Sequence, residues 1–152
     1  MAAMLRTRFA ILCATVGLLL SACAATSPST ESGKVAVVQF SYDGLKPEVV
    51  HITPDGNIKW VNLAPDSRGV VVFPNSISTS FSCGAALEPY FVPAADGYRS
   101  LPIESSEPNR VELPCSLAPG TYDYEVWIMG SGLGDFGASS AQRSLPGKIV
   151  VK

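Results

Sequence analysis

The chain of 152 residues offers few groups that could do covalent or metal chemistry: one histidine, His51, and four cysteines, at positions 13, 23, 83 and 115. A Ser-His-Asp or Cys-His arrangement would have only His51 as its base, and its neighbours form no nucleophile-elbow motif. Thiolate zinc sites use four protein ligands, and no CxxC spacing is present. The carboxylates show no recognisable acid/base spacing, and His51 is interpreted as a solvated residue on a strand face. We therefore expect a protein that is not an enzyme.

Cys23 ends an N-terminal segment with the anatomy of an export signal. Arg6 and Arg8 precede an apolar run from Phe9 to Leu20, which is too short to span a bilayer, since a spanning helix takes about 20 residues. Residues 1–22 are therefore interpreted as a secretory signal peptide. The sequence Leu20-Ser21-Ala22-Cys23 resembles the lipobox of bacterial lipoproteins, which implies a lipid on Cys23. A plain signal peptide cleaved near Ala25, or a retained anchor, is the alternative.

The lipoprotein resemblance also implies a compartment and a membrane partner. The domain would lie in the cell envelope, anchored to the membrane through lipidated Cys23. Ala24 stands where an Asp would resemble an inner-membrane retention signal, so we expect the outer membrane, facing the periplasm. After Cys23, residues 24–34 are small, polar and Pro-containing, and a flexible tether of about 11 residues spans about 18 Å. Residues 35–152 are expected to form one domain.

In an exported chain, Cys83 and Cys115 are expected to form a disulfide. The bridge would close a loop of about 33 residues, which contributes roughly 3–4 kcal/mol in the chain-entropy account. A shared metal site is the alternative. Without residues 1–22 the chain has nine Lys and Arg against thirteen Asp and Glu, a net charge of −4. Because no basic cluster is present, nucleic acid is not an expected partner.

From residue 35 onward the sequence predicts short strands separated by Pro and Gly turns. The predicted strands cover residues 34–42, 48–53, 57–62, 69–73, 78–83, 110–113, 121–129 and 148–152. Between them lie two longer predicted loops: residues 84–109, whose four prolines favour an ordered but mostly irregular crossing, and residues 130–144, which show no packing pattern. Seven or eight strands of this kind predict an all-β sandwich or barrel. Alternation in the strand at 121–129 places Tyr122, Tyr124, Val126 and Ile128 on the core face, opposite Asp123 and Glu125.

Two local patterns in this order resemble the cupredoxin family. The first runs from Pro47 through Gly56 to Trp60-Val61-Asn62, and the second is Pro119-Gly120-Thr121-Tyr122 with a closing strand from Gly147. The resemblance covers residues 35–152 and implies a Greek-key sandwich. It also implies a type 1 copper site made of one thiolate and two imidazoles, usually with a distant Met. The positions that would carry the imidazole, thiolate and second imidazole hold Arg68, Val126 and Met129, so no type 1 site is expected and no metal cofactor is expected.

A binding surface is predicted from Trp127, Met129 and Phe136. Trp127 and Met129 leave the core face by alternation just as their strand ends, and Phe136 follows in a Gly/Ser-rich segment. Clustered exposed aromatic and Met side chains are typical of a binding patch. The alternative is that Trp127 caps the end of the barrel and Phe136 folds over it. A weak Cu(I) site using His51 and Met129 is a further alternative.

These observations favour a membrane-anchored envelope lipoprotein that acts as a non-catalytic binding module, and the expected partner is another envelope protein. The alternative function is copper handling, as a carrier or delivery protein with an unusual weak site. A purely structural role would involve neither metal nor partner.

Overall fold

A computed structural model describes residues 35–82, 87, 90–130 and 140–152. The expected signal peptide (1–22) and the tether (23–34) with Cys23 lie outside the described residues, as do Cys83 and Phe136. Within the described part, no helix is long and apolar enough to cross a membrane.

The smaller of two β-sheets has four strands in the order β2-β1-β4-β9. These are β1 (Val35–Ser41), β2 (Gly44–Lys46), β4 (Asn57–Asn62) and β9 (Arg110–Glu112). β1 runs parallel to β4, whereas β2 and β9 are antiparallel to their neighbours. β9 is therefore an edge strand of only three residues.

The larger sheet has the order β3-β11-β10-β5-β7-β6, with β8 paired to β5. Its strands are β3 (Val49–Ile52), β5 (Ser67–Pro74), β6 (Phe91–Ala94), β7 (Gly97–Ser100), β8 (Ile103–Glu104), β10 (Gly120–Gly130) and β11 (Arg143–Val151). β10 lies at the centre, antiparallel to both β11 and β5. Its length and position make it the strand that organises the rest of this sheet.

The predicted all-β sandwich is confirmed, with eleven strands among the described residues rather than seven or eight. The strand predicted at 78–83 is wrong: Asn75–Ser80 form a 3-10 helix, and Phe81 makes only an isolated bridge to Leu117. Ser, Thr and Asn side chains compete with sheet pairing by bonding locally, which favours such turns. The last strand also begins earlier than predicted, at Arg143.

The prediction of a mostly irregular loop at residues 84–109 is wrong, because the described residues of this segment contain β6, β7 and β8. Pro93 lies in β6, where it is tolerated because β6 is an edge strand and needs no ladder bond on its outer side. Gly97 begins β7 with φ 148°, a conformation that favours glycine. The sequence does not indicate the β6–β7 hairpin, because its prolines and polar residues are also typical of a loop.

The main core lies between the sheets and contains a cluster of aromatic rings. The ring centroid of Trp60 lies 5.9 Å from that of Phe73, 6.3 Å from Phe91 and 5.6 Å from Tyr124, each in an edge-on arrangement. Tyr124, Val126 and Ile128 are all buried, which confirms the predicted core face of β10. A Cβ atom at Gly147 of β11 would overlap the Tyr124 ring, so glycine is required for this packing.

Candidate functional site

Trp127 and Met129 lie on the outer face of β10, opposite the core face, but both are buried, with 6% and 4% of their surfaces exposed. They pack with Val70 and Val72 of β5 in a second apolar cluster, distinct from the main core. The expectation that these two side chains are exposed is therefore wrong. We call the surface around them the outer face of the larger sheet.

The burial of the outer face has a signal in the sequence that alternation alone overlooks. Val70–Phe73 and Val126–Met129 are uninterrupted apolar runs in neighbouring strands. Such runs are typical of strands covered on both faces, whereas a strand exposed on one face alternates with polar residues. Ala141, just before β11, packs against the cluster.

Polar contacts hold the Trp127 ring in one orientation. Its indole Nε1–H donates to Glu125 Oε2 at 2.7 Å, and the Ser144 hydroxyl donates to the same oxygen at 2.8 Å. No Lys or Arg of the described residues forms an ion pair with Glu125. Glu125 is thus an exposed carboxylate that two neutral donors hold in place. Hydrogen bonds to a charged acceptor are strong, so the carboxylate is well fixed even though no cation of the described residues pairs with it.

The Arg99 guanidinium lies over the Trp127 ring, 4.9 Å from the ring centroid, in a cation–π contact. Its Nη2 also donates to both carboxylate oxygens of Asp96 at 3.0 Å. These hydrogen bonds lower the pKa of the exposed Asp96 carboxyl. These contacts link side chains from three strands, β7, β10 and β11, and from the turn before β7 into one continuous polar chain: Asp96, Arg99, Trp127, Glu125 and Ser144.

A groove of about 350 Å³ lies on the outer face beside this chain. Val72, Pro74 and Pro146 contribute apolar walls, and Trp127 lines it as well. Three carboxylates, those of Asp96, Asp123 and Glu125, border it. Arg99 pairs with Asp96 and Lys148 pairs with Asp123, so the Glu125 carboxylate is the one of these three without an ion pair among the described residues. Chemically, the groove suits a ligand with an apolar part and one positive charge.

The residues at the three positions where the cupredoxin resemblance would place copper ligands make other contacts. Arg68 Nε lies 2.8 Å from Glu104 Oε1 in an ion pair, and Arg68 is the register partner of Met129. Val126 is fully buried in the main core. Among the described residues, no group of three His, Cys, Asp or Glu side chains is placed to hold a metal ion.

His51 and Met129 lie at opposite ends of the larger sheet and cannot share one ion. His51 is exposed on the edge strand β3 and pairs with Val150, which pairs with Thr121 at the start of β10. Met129 lies eight residues further along β10, and at about 3.3 Å per residue this separation is about 26 Å. The alternative prediction of a Cu(I) site that uses both His51 and Met129 is therefore wrong.

Cys115 is disulfide-bonded. Its predicted partner, Cys83, lies outside the described residues, so the pairing stays a prediction. The Ser82 N–H donates to the Ser116 carbonyl at 3.1 Å, and Phe81 bridges Leu117 in the antiparallel sense. These contacts place residues 81–82 alongside residues 116–117, which directly follow Cys115 in the chain.

No protein-family model matches the chain, and no curated protein is significantly similar to it. Among solved structures, the chain is similar to a reduced Cu(I) form of an amicyanin variant at pH 4, with a TM-score of 0.44, 14% identity and coverage of 78% of this chain and 82% of that one. It is also similar to dithionite-reduced auracyanin from the photosynthetic bacterium Roseiflexus castenholzii, with a TM-score of 0.45, 9% identity and coverage of 80% and 98%. Auracyanin B gives a TM-score of 0.38 at 14% identity, covering 78% and 88%. Similarity this remote carries no conclusion about function.

Proposed function

We propose that this protein is a membrane-anchored lipoprotein of the cell envelope whose cupredoxin-like domain is a non-catalytic binding module. The observation that carries the proposal is the groove on the outer face, bordered by an oriented Trp127 and by Glu125, which forms no ion pair with the part of the chain that the structure describes. Because neighbouring groups already hold Trp127 and Glu125 in place, these side chains would lose little conformational entropy when a partner binds. This pre-organisation favours a binding role over a purely structural one.

The proposed partner is an envelope protein that presents a basic side chain to the groove. Pro74 and Pro146 would contact the aliphatic part of that side chain, and Glu125 would accept from its charged end. The net charge of −4 without residues 1–22 would favour the approach of a basic surface. The absence of type 1 ligands at Arg68, Val126 and Met129 fits a role that needs no copper.

In-cell photo-crosslinking tests the binding role. A photoreactive amino acid at Pro146, an exposed residue of the groove, is expected to capture a discrete protein partner. The matched control is the same amino acid at Val37, which is exposed on the outer face of the smaller sheet, on the opposite side of the sandwich from the groove. Capture of the same species from both positions, or of none from Pro146, would contradict the proposal.

The anchoring part of the proposal is tested separately. Replacing Cys23 with Ala removes the expected lipid attachment site, so the protein should leave the membrane fraction and lose metabolic fatty-acid label. Cys13→Ala, in the expected signal peptide, is the control and should change neither result. Retention of the label in the Cys23→Ala protein would overturn the lipoprotein assignment without affecting the groove.

A further inference from the structure

The exposed edge of the smaller sheet carries backbone groups that point away from the molecule. The Asn62 N–H donates to the Asn109 carbonyl at 2.8 Å, and the Leu113 N–H donates to the Ile58 carbonyl at 2.9 Å, so residues 109, 111 and 113 face β4. Because backbone direction alternates along a strand, the N–H and C=O groups of Arg110 and Glu112 face outward. Among the described residues, no strand pairs with this side of β9.

Apolar surface adjoins this edge. A cavity of about 480 Å³ beside β9 is lined by Tyr90, Leu101, Pro102, Pro108 and Pro114, among others. Tyr90 and Leu101 are 48% and 47% exposed, two of the larger apolar side chains left in solvent. An open strand edge next to exposed apolar side chains is typical of a surface that pairs with another chain.

The charges on β9 have a self-complementary order. Arg110 is exposed and forms no ion pair within the described residues, whereas Glu112 contacts Lys59 Nζ at 2.6 Å. Charges on a short edge usually prevent pairing. When two copies of Arg110-Val111-Glu112 run antiparallel about a two-fold axis at Val111, however, each Arg110 faces the Glu112 of the other copy. Opposite charges placed directly across two strands attract.

We propose that β9 pairs with β9 of a second copy of this chain to form a two-fold symmetric dimer. The backbone geometry allows this register, because Arg110 and Glu112 both direct their N–H and C=O groups outward. Arg110 of each copy therefore forms a hydrogen-bonded pair with Glu112 of the other. The next outward positions are Pro108 and Pro114, which have no N–H, so the ladder ends there. The pairing uses the free edge of β9 on both copies, so no further chain can add there and the assembly stops at a dimer. Neither the groove on the outer face nor its proposed partner is needed for this dimer.

Sedimentation velocity of the purified protein over a range of concentrations tests the dimer. The wild-type protein is expected to show a concentration-dependent monomer–dimer equilibrium, weak because the interface is small. Arg110→Glu places like charges opposite each other at both pairs and should weaken dimerisation at least about tenfold. The matched control is Arg143→Glu, the same charge change at an exposed residue of the larger sheet, which should leave the equilibrium unchanged.

A mixture of two variants tests the register itself. Glu112→Arg should also weaken self-association, but an equimolar mixture of Arg110→Glu and Glu112→Arg proteins restores opposite charges at both pairs and should form a heterodimer. The doubly exchanged protein, R110E/E112R, should dimerise as the wild type does. Wild-type protein that stays monomeric at its highest soluble concentration would overturn the proposal, and so would a mixture that associates no better than its folded components.

Discussion

The two tryptophans of this domain lie in opposite kinds of surroundings. Trp60 is fully buried between the sheets, its Nε1 has no hydrogen-bond partner among the described residues, and its contacts are other aromatic rings. Trp127 lies on the outer face of the larger sheet, where its Nε1–H donates to Glu125 and Arg99 covers its ring. Trp60 is placed by packing alone, whereas Trp127 packs against Val70 and Val72 and is also oriented by polar contacts. The comparison indicates that the first serves stability and the second serves orientation at a surface.

Replacing each tryptophan with Ala should give the largest difference in stability between the two regions. Trp60→Ala leaves a large cavity in the main core and should lower the free energy of unfolding by about 3–5 kcal/mol. Trp127→Ala should lower it by about 2 kcal/mol, because part of the Trp127 surface is covered by a guanidinium rather than by core side chains. Urea denaturation of both variants measures the difference. Equal losses would mean that the outer cluster is a second structural core.

Gly147 tests how tightly the inner side is packed. Gly147→Ala would drive a methyl group into the buried Tyr124 ring and should destabilise the fold by about 1–3 kcal/mol. The control is Gly130→Ala, where a Cβ would meet only the end of the Gln142 side chain, at 3.0 Å from Nε2. Thermal unfolding of the pair should show a much larger shift for Gly147→Ala, and similar shifts would refute the close packing of Tyr124.

Tyr124 gives the inner side of the sandwich a pH dependence at alkaline pH. Burial raises the pKa of Tyr124 to about 12, and the neighbouring Trp60 N–H offsets part of that rise, although no hydrogen bond of normal geometry joins them. The unfolded phenol ionises near its ordinary pKa of 10.0 while the folded one stays neutral, so stability falls as pH rises from 10 toward 12. The total effect is about 3 kcal/mol.

Tyr124→Phe should remove that loss. At pH 7 the change is expected to be within about 1 kcal/mol of neutral, since the buried hydroxyl has no partner to lose. Chemical denaturation at neutral pH and near pH 11 compares the two proteins. If both lose the same stability at high pH, the Tyr124 hydroxyl is accessible to water in the folded state.

Sequence patterns predict the inner side of this sandwich better than the outer one, for a physical reason. The alternation that places Tyr124, Val126 and Ile128 inside reports one buried face, and the structure agrees. It says nothing about whether the opposite face is covered, and so Trp127 and Met129 were expected to be exposed. The apolar runs Val70–Phe73 and Val126–Met129 carry that information, because only a strand covered on both faces has no need of polar residues.

The groove and its polar chain could not be predicted, because they depend on register between distant strands. Trp127 and Ser144 donate to the same Glu125 oxygen only because the pairing of β10 with β11 places Trp127 opposite Ser144. Arg99 reaches Trp127 from β7, a strand in the Pro-containing segment that the sequence does not distinguish from a loop. Nothing in the spacing of Arg99, Glu125 and Trp127 along the chain indicates that they meet.

The most direct test of the binding role is the crosslinking yield from Pro146 in a Glu125→Gln protein. Gln keeps an oxygen that accepts from Trp127 and Ser144 but removes the charge, so unfolding free energy should change by less than about 1 kcal/mol. If the outer face is a binding surface for a basic partner, the crosslinked product should fall several-fold in this stable variant. An unchanged yield in folded Glu125→Gln protein would contradict the assignment of the groove as the binding site.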